Sequence, residues 1–313
     1  MVNTLTTLSP EAKQFYDRNL LERANPLLVL ARFAQNRNIP RNSGNQVSYR
    51  RFNKLSTITT PLVEGVTPSS QSLSITEITG TAAQYGGYVT ISDAVDLLAI
   101  DPVITESTDV LGEQAGESIE EIARAELVTG TSVVFANAVA NRATLAAVTD
   151  RIDSTDVRLA IKTLYVNNAK PFRGERNDQG QGGLYVGVIH PEAWFPYIGQ
   201  TLVTQTLQYS DPQGMYTLEL PVFDQVAWYV TTMAPKFAAG GAAGADVYGT
   251  LIFGQNAYGM VDVAGTGKFD TIVKPIGSGG TSDPLNQRGT VAWKSWQLPK
   301  ILNNNFMVRI EST

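Results

Sequence analysis

Cysteine is absent from this sequence, and histidine occurs once, as His190. Without cysteine the chain can form neither disulfides nor thiolate metal sites, and one histidine excludes the usual structural zinc sites. His190 ends the apparent strand LYVGVIH and precedes Pro191, a common arrangement at the start of a helix. We therefore interpret His190 as structural, with a catalytic base as the first alternative and a metal ligand as the second.

Charge and long hydrophobic runs are also scarce. Charged residues make up 17% of the chain, below the roughly one quarter that is typical, so we expect much of the surface to be hidden against other subunits. The best apolar run, residues 26–33, is interrupted by Arg32, and no membrane span is expected. The N-terminus lacks the basic and apolar regions of a signal peptide. We expect the chain to fold in a reducing cytoplasm.

Motifs of nucleotide and hydrolytic chemistry are missing as well. The string GTGK at 265–268 resembles the end of a phosphate loop, but Asp262 replaces the required glycine and Phe269 the required Ser or Thr. The sequence has no G-x-S-x-G, H-E-x-x-H or EF-hand pattern. Paired carboxylates for sugar chemistry stay open, although the three Asp-Pro pairs are better explained as turns and caps. We predict no catalytic residue, no cofactor site and no metal ligand, and hence no enzyme.

The charges that are present are distributed unevenly. Residues 1–54 contain nine Lys and Arg against three acids, a net charge of +6, whereas the remaining 259 residues carry 15 basic and 26 acidic groups, a net charge of -11. A basic arm on an acidic body indicates that the arm lies on another copy of the body. A solvated basic helix and a nucleic-acid contact are the alternatives, but scattered cations and an acidic body disfavour phosphate. The candidate inter-subunit residues of the arm are Arg18, Arg23, Arg32, Arg37, Arg50 and Arg51.

The first fifth of the chain predicts helices followed by an extended segment. Ser9-Pro10-Glu11 indicates a helix beginning at Pro10, and LLVLARFAQ, residues 27–35, predicts a second apolar helix. The string QVSYRRFNKL, residues 46–55, predicts an extended segment. This part has too few apolar residues for a core of its own, so we expect it to lie over something else.

Residues 55–92 are rich in Thr and Ser and contain no Lys or Arg. Alternating β-branched residues at 74–79 are typical of a strand, and prolines and glycines punctuate the segment. We predict a long β-hairpin with its tip near residues 66–72. Because an isolated two-stranded hairpin is marginal in water, it should rest on a neighbour.

A long helix is predicted from about Pro102 to Thr129, followed by Gly130 at the position that ends many helices. At about 1.5 Å per residue it would span about 40 Å, enough for a structural strut. Its apolar stripe comprises Leu111, Ala115, Ile119, Ile122, Ala123 and Leu127. An acidic face comprises Glu113, Glu117, Glu120 and Glu121, which we interpret as solvated or, alternatively, as an electrostatic surface between subunits.

The remainder of the chain mixes helices and strands. The alanine-rich residues 135–148 predict a second helix or a loop with helix. Residues 154–156 cap a helix, residues 184–190 form a buried strand, and residues 238–246 form a Gly- and Ala-rich loop. The last fifth predicts strands joined by turns. Trp293, Trp296 and Phe306 indicate core or interface packing, with a sugar-stacking platform as the alternative.

The order of these pieces resembles the major capsid proteins of tailed bacteriophages, whose fold is shared with herpesvirus shells and encapsulin compartments. Strings that carry the resemblance are TTPLVEGVTPSSQSLSITEITGTAAQYGGYVTISD and DPLNQRGTVAWKSWQLPKILNNNFMVRIE. The resemblance implies an α+β fold with an N-terminal arm (1–52), an extended loop (53–92), a peripheral domain with a spine helix (93–150 and 262–313) and an α/β axial domain (151–261).

The resemblance also implies a function and partners. Many copies, as hexamers and pentamers, would form an icosahedral shell around double-stranded DNA without sequence-specific or membrane contacts. A portal, and in some relatives scaffold or decoration proteins, would join it in a virion capsid assembled in the bacterial host cytoplasm. The loop after Lys54 has no lysine, so no covalent crosslink is expected, and a chain starting at the arm implies a separate scaffold or none. An encapsulin-like compartment is the alternative, followed by a β-rich carbohydrate-active enzyme or adhesin.

Overall fold

A computed structural model describes most of the chain. Five α-helices have both ends within the described residues. The described residues are 16, 18, 20, 21, 23, 24, 28–40, 44–98, 102–172, 183–200, 225–263, 269–279 and 283–313. The helices are α1 (Leu30–Phe33), α2 (Asp93–Leu98), α3 (Val103–Val128), α4 (Ser154–Val166) and α5 (Pro191–Ile198). The described residues between 16 and 24 are also helical.

The described strands form four sheets, one of six strands, two of three strands and one of two strands. They are β1 (Gln35–Ile39), β2 (Gln46–Phe52), β3 (Ile75–Thr81), β4 (Ala83–Ser92), β5 (Val133–Phe135), β6 (Tyr185–Ile189), β7 (Val226–Val230), β8 (Lys236–Phe237), β9 (Val247–Phe253), β10 (Tyr258–Val263), β11 (Asp270–Lys274), β12 (Arg288–Gln297), β13 (Lys300–Ile301) and β14 (Met307–Ser312). A mixed six-stranded sheet has the order β5-β14-β9-β6-β7, with β8 on β9. An antiparallel sheet has the order β11-β12-β4, a third sheet the order β1-β10-β13, and β2 pairs with β3.

The six-stranded sheet separates two hydrophobic cores, because neighbouring residues of each strand point to opposite faces. On one face Tyr185, Ile189 and Trp228 pack against α4 and α5. On the other, Val186 and Phe253 belong to the larger core that includes the buried stripe of α3. Thus α4 and α5 lie on one side of the sheet and α3 on the other.

The predicted long helix is confirmed as α3, but Glu120 is not on its solvated face. Its side chain is 0% exposed, and its carboxylate accepts hydrogen bonds from the backbone N–H groups of Leu30 (3.1 Å) and Ala31 (3.2 Å). The partner segment is about 90 residues away in sequence, so helical spacing in α3 cannot reveal this pairing. The other three glutamates of the predicted acidic face are exposed.

The hairpin pairing differs from the prediction. The strands that pair are β2 and β3, from Gln46↔Thr81 to Phe52↔Ile75, so the first strand lies before residue 55. Residues 53–74 connect them without a strand, with a turn at Gly65 (φ +78°), close to the predicted tip. After Ala82 the chain continues into β4, which pairs along its full length with β12. The hairpin therefore begins earlier in the chain than predicted, at Gln46, and also ends earlier, at Thr81.

Part of the arm packs on its own chain, and its contact with another copy stays a prediction. Leu20, Ala24 and Leu30 are buried in the same core as α3, and β1 pairs in parallel with β10. The predicted apolar helix reaches only Phe33, since Gln35 already belongs to β1. Residues 9–15, the predicted start of the first helix, lie outside the described residues.

One further prediction is corrected by tertiary context. The alanine-rich residues 135–148 form only two 3₁₀ turns, at Ala136–Ala138 and Arg142–Thr144, and no α-helix. The buried strand after residue 183, the helix that begins at residue 154 and the C-terminal strands are confirmed. The cap of that helix is Asp153, one residue before the predicted 154–156, with Asp156 completing the capping box. In β14, Arg309 and Glu311 are as buried as their apolar neighbours.

Candidate assembly surface

The hairpin segment between residues 52 and 75 exposes large apolar side chains without any covering element among the described residues. Leu62 is 76% exposed and Ile58 73%. The eight exposed members are Phe52, Leu55, Ile58, Leu62, Val63, Val66, Leu73 and Ile75. We call this set the hairpin patch. Eight exposed large apolar side chains within one segment of about 24 residues are the kind of set that marks a protein-protein contact surface.

Strand β4 provides a second unpaired feature beside the hairpin. It is ten residues long, pairs with β12 on one side and has no strand on its other side within the part of the chain that the structure describes. It contains no charged residue and no proline, and Tyr88 is 73% exposed. Soluble proteins normally protect such edges with lysine, proline or a bulge, so an unprotected edge can accept another strand.

A third feature is the acidic face of α3. No Lys or Arg occurs between residues 55 and 123, and Glu106, Glu113, Glu117 and Glu121 are exposed. Glu121 pairs with Arg124 at 2.9 Å. Within the described ranges, Glu106 and Glu117 have no ion-pair partner.

The six candidate arginines of the arm are placed separately. Arg23 lies at 4.0 Å from both Asp109 and Glu113 of α3, and Arg50 at 3.8 Å from Glu77 across the hairpin. Arg51 makes a weak contact with the Leu302 carbonyl oxygen at 3.5 Å, and the exposed Arg18 forms no ion pair within the described part of the chain.

The other two arginines of the arm have aromatic neighbours. The Arg32 guanidinium lies 5.8 Å from the Phe33 ring centroid. Arg37 donates to the Ser48 carbonyl at 2.8 Å and lies over the ring of Tyr49. Neither arginine has a carboxylate partner among the residues that the structure describes, so the arm retains unmatched cations while α3 retains unmatched anions.

A buried charge cluster, which the sequence analysis missed, fixes the C-terminal strand. Glu311, whose side chain is 1% exposed, accepts two hydrogen bonds from Arg142 (2.7 and 2.6 Å) and one from Arg309 Nε (2.8 Å). Arg309 also donates to the carbonyls of Val128 and Gly130 at the end of α3. Burial acts to raise the pKa of Glu311, but the two guanidinium groups outweigh it and hold that pKa below its ordinary value. Arg142 belongs to the 3₁₀ turn Arg142–Thr144. Only the packing of this turn beside β14 brings the three residues together.

The residues singled out for chemistry have structural roles. His190 is the N-cap of α5, where its Nδ1 accepts a hydrogen bond from the Glu192 N–H at 3.2 Å, and burial lowers its pKa. Trp293 is buried against Phe269, and Trp296 packs in the small core beneath the hairpin. The GTGK string lies outside the described residues.

Two kinds of site were sought in the described part of the chain. Within it no three His, Asp or Glu side chains converge as metal ligands. None of its helices combines the length and apolarity needed to cross a bilayer. The candidate assembly surface is defined as the hairpin patch, the β4 edge and the acidic face of α3.

Comparison with known proteins identifies the fold through structure and not through sequence. No family model and no curated protein matches the sequence. The capsid of Ralstonia phage GP4 matches with a TM-score of 0.70 at 13% identity, covering 90% of this chain and 87% of that chain. The capsid asymmetric unit of cyanophage Pam1 matches at 0.66 and 14% identity, over 91% and 92%. A virus-like particle from Pyrococcus furiosus matches at 0.54 and 11% identity, over 96% and 99%. The chain has the fold of these capsid structures, which confirms the predicted α+β capsid fold.

Proposed function

We propose that this chain, which has the fold of phage capsid structures, is the major capsid protein of a tailed bacteriophage. Many copies, arranged as hexamers and pentamers, form an icosahedral shell around double-stranded DNA. The single observation that carries the proposal is the hairpin patch, because its eight apolar side chains have no cover among the described residues of their own chain. A second copy is the partner that the capsid fold provides.

The energetics favour apolar burial over ion pairing as the main source of cohesion. Burying one large apolar side chain contributes about 1.5 to 3 kcal/mol, and the patch offers eight such side chains. An exposed ion pair contributes about 0 to 1 kcal/mol. Even partial burial of the patch therefore exceeds the contribution of the scattered arginines.

Charges set orientation in this proposal. Arg18, Arg32 and Arg37 lack carboxylate partners within the described ranges, and Glu106 and Glu117 of α3 lack cationic ones. Contact between the arm of one copy and the acidic face of the next would match both sets. Complementary charges of this kind select register and partner more than they add affinity.

The predicted domain division is retained here as a proposal. The axial domain would contain α4, α5 and most of the six-stranded sheet, and the peripheral domain α3, β11 and β12. Strand pairing crosses this division, since β5 and β14 belong to the six-stranded sheet and β4, of the extended loop, pairs with β12. A portal, scaffold or decoration proteins and assembly in the bacterial host cytoplasm are further parts of the proposal, and no catalytic role is included.

The test of this function is assembly of the purified chain. Light scattering and electron microscopy should show capsomers or shells of megadalton mass. Leu62→Asp places a charge in the hairpin patch and should block shells while leaving thermal unfolding unchanged. Ser69→Asp adds the same charge at an exposed polar position of the same loop and should still assemble. Normal shells from Leu62→Asp, or a wild-type chain that stays at 33.9 kDa under all assembly conditions, would contradict the proposal.

An encapsulin-like compartment differs from a phage capsid in its contents. The likeness to the Pyrococcus furiosus virus-like particle shows only that the fold also occurs in that particle. Particles made in cells that express the phage packaging proteins should contain nuclease-protected double-stranded DNA. Particles that never protect DNA, but retain a protein cargo, would favour the compartment.

A further inference from the structure

Residues 28–39, which we call the strap, are attached to the body at their beginning through one buried carboxylate. The N–H groups of Leu30 and Ala31 are the first of helix α1, and such groups have no partner within their own helix. No side chain near Val29 caps them. Glu120, in the middle of α3, supplies both acceptors.

A second buried contact holds the same turn. The Tyr258 hydroxyl donates to the Leu30 carbonyl oxygen at 2.6 Å. Tyr258 is 1% exposed, and burial, together with the nearby charge of Glu120, raises its pKa well above its ordinary value. The turn at Leu30 is therefore held by one donor and one carboxylate that belong to distant parts of the chain.

The rest of the strap is attached unevenly. A cavity of about 170 Å³ lies between it and the body, and its lining includes Asn36 and Met260. Strand β1 pairs with β10 on one side only, and four of its five residues are exposed. Phe33, in contrast, packs against three aromatic rings, and Ile39 is buried. The contacts at Leu30 and Ala31 are therefore one of several attachments, and the one that a single substitution of Glu120 can weaken.

We infer that the strap can detach, that Glu120 is the positioning residue that sets how often it opens, and that opening lets its already exposed cations reach a second copy. Arg32 and Arg37 find no carboxylate on their own chain within the described residues. The acidic face of α3, with Glu106 and Glu117, offers anions on a neighbouring copy. Hydrogen bonds to a charged acceptor are roughly twice as strong as neutral ones, so loss of the carboxylate acts directly on the attachment. The role in assembly rests on the proposed function, whereas the attachment itself does not.

Hydrogen exchange of the unassembled chain tests the attachment. Glu120→Gln replaces one acceptor oxygen by a donor amide and should raise exchange of the amides in residues 28–39 about 10- to 100-fold, as expected for the loss of one charge-assisted hydrogen bond. Glu117→Gln is the matched control, because it removes an exposed glutamate from the same helix. Equal exchange of the strap in the two variants overturns the inference.

A reversible lock tests the role in assembly. Asn36 and Met260 are opposite each other in the β1–β10 pair and both line the cavity, and the chain has no cysteine of its own. Asn36→Cys with Met260→Cys should form an intrachain disulfide that blocks shells when oxidised and permits them when reduced. Shells of equal yield in both states overturn the role in assembly. If the reduced double-cysteine variant does not assemble while the wild type does, the hydrogen-exchange comparison of Glu120→Gln with Glu117→Gln decides whether the inference stands. A wild type that never assembles rejects the proposed function and not the attachment of the strap.

Discussion

Removal of Arg142 should destabilise the folded chain, because it leaves a buried carboxylate incompletely paired. Glu311 is 1% exposed and accepts two hydrogen bonds from Arg142 and one from Arg309. In Arg142→Ala, Arg309 is the remaining hydrogen-bond donor to the Glu311 carboxylate. The guanidinium also lies 3.5 Å from the Phe237 ring centroid, so the substitution removes a cation-π contact as well.

The expected magnitude follows from the burial of the two partners. Breaking a buried ion pair costs about 3 to 5 kcal/mol. The Arg142 side chain is 35% exposed, so water can reach the vacated site, and we expect about 3 kcal/mol, the lower end of that range. The control is Lys236→Ala, which breaks a solvent-exposed pair with Asp246, whose partners are 42% and 39% exposed, and should destabilise the chain far less than Arg142→Ala.

Urea unfolding of the unassembled variants, followed by circular dichroism at pH 7, measures both costs. The same cluster predicts a pH dependence. Since the pKa of Glu311 is lowered in the folded chain, its stabilisation is present above the ordinary glutamate range and is lost as the pH falls through the folded-state pKa. Arg142→Ala should therefore reduce the loss of stability between neutral and acidic pH. A cost under about 1 kcal/mol for Arg142→Ala, or an unchanged pH profile, would refute the reasoning.

Three further substitutions or titrations test local features of the fold. In Gly112→Ala the new Cβ would lie 2.7 Å from the Leu20 carbonyl oxygen, so we expect a loss of about 1 to 3 kcal/mol despite the higher helix propensity of alanine, and a gain in unfolding free energy would contradict the close packing of the arm on α3. Asp153→Ala removes the capping box of α4 and should cost about 1 kcal/mol, measured by thermal unfolding; an unchanged midpoint would argue against the cap. The single histidine allows an unambiguous NMR titration. Because burial lowers the pKa of His190, the measured pKa should lie below 6.5. The hydrogen bond from the Glu192 N–H to His190 should be present above that ordinary value and lost as the pH falls through the folded-state pKa. A pKa at or above 6.5 would show that the buried cap is wrong.

Elements with strong local signals were predicted well. Helix α3 has an apolar stripe of helical period and a glycine just beyond its end. The capping box of α4 is formed by Asp153 and Asp156, which are three residues apart. The strand before His190 is a short apolar run that ends at a proline. In each case the signal lies within the element itself, so long-range pairing was not needed to find it.

Elements that depend on partners were predicted less well. The alternation in β3 was recognised, but its partner strand, β2, was assigned to the arm, because sequence alternation does not identify which strand lies opposite. The alanine-rich residues 135–148 have helix-forming composition, yet Ala136 and Leu145 are buried against Val247, and the segment takes two 3₁₀ turns. Tertiary packing overrode propensity there.

In the candidate site, too, features set by local sequence were predicted and features set by long-range contacts were missed. The exposure of three of the four glutamates of the acidic face follows from helical period, whereas the apolar hairpin patch was not predicted and is seen only in the structure. Glu120 does not, since its spacing on α3 is as compatible with solvent as with burial, and only the approach of Leu30 and Ala31 decides the matter. The Arg142–Glu311 pairing was likewise hidden, because its members are 169 residues apart.

The amino-acid sequence alone was enough to predict the capsid-like order of elements, the long helix and the opposition of a basic arm to an acidic body. These are properties of composition and of short-range period, which neighbouring residues encode. Only the tertiary structure decided that the arm packs on its own α3, that β2 pairs with β3, and that two carboxylates are buried as connectors between distant segments. Such contacts arise when elements with compatible surfaces meet, and the free energy of burying a charge depends on which groups then surround it.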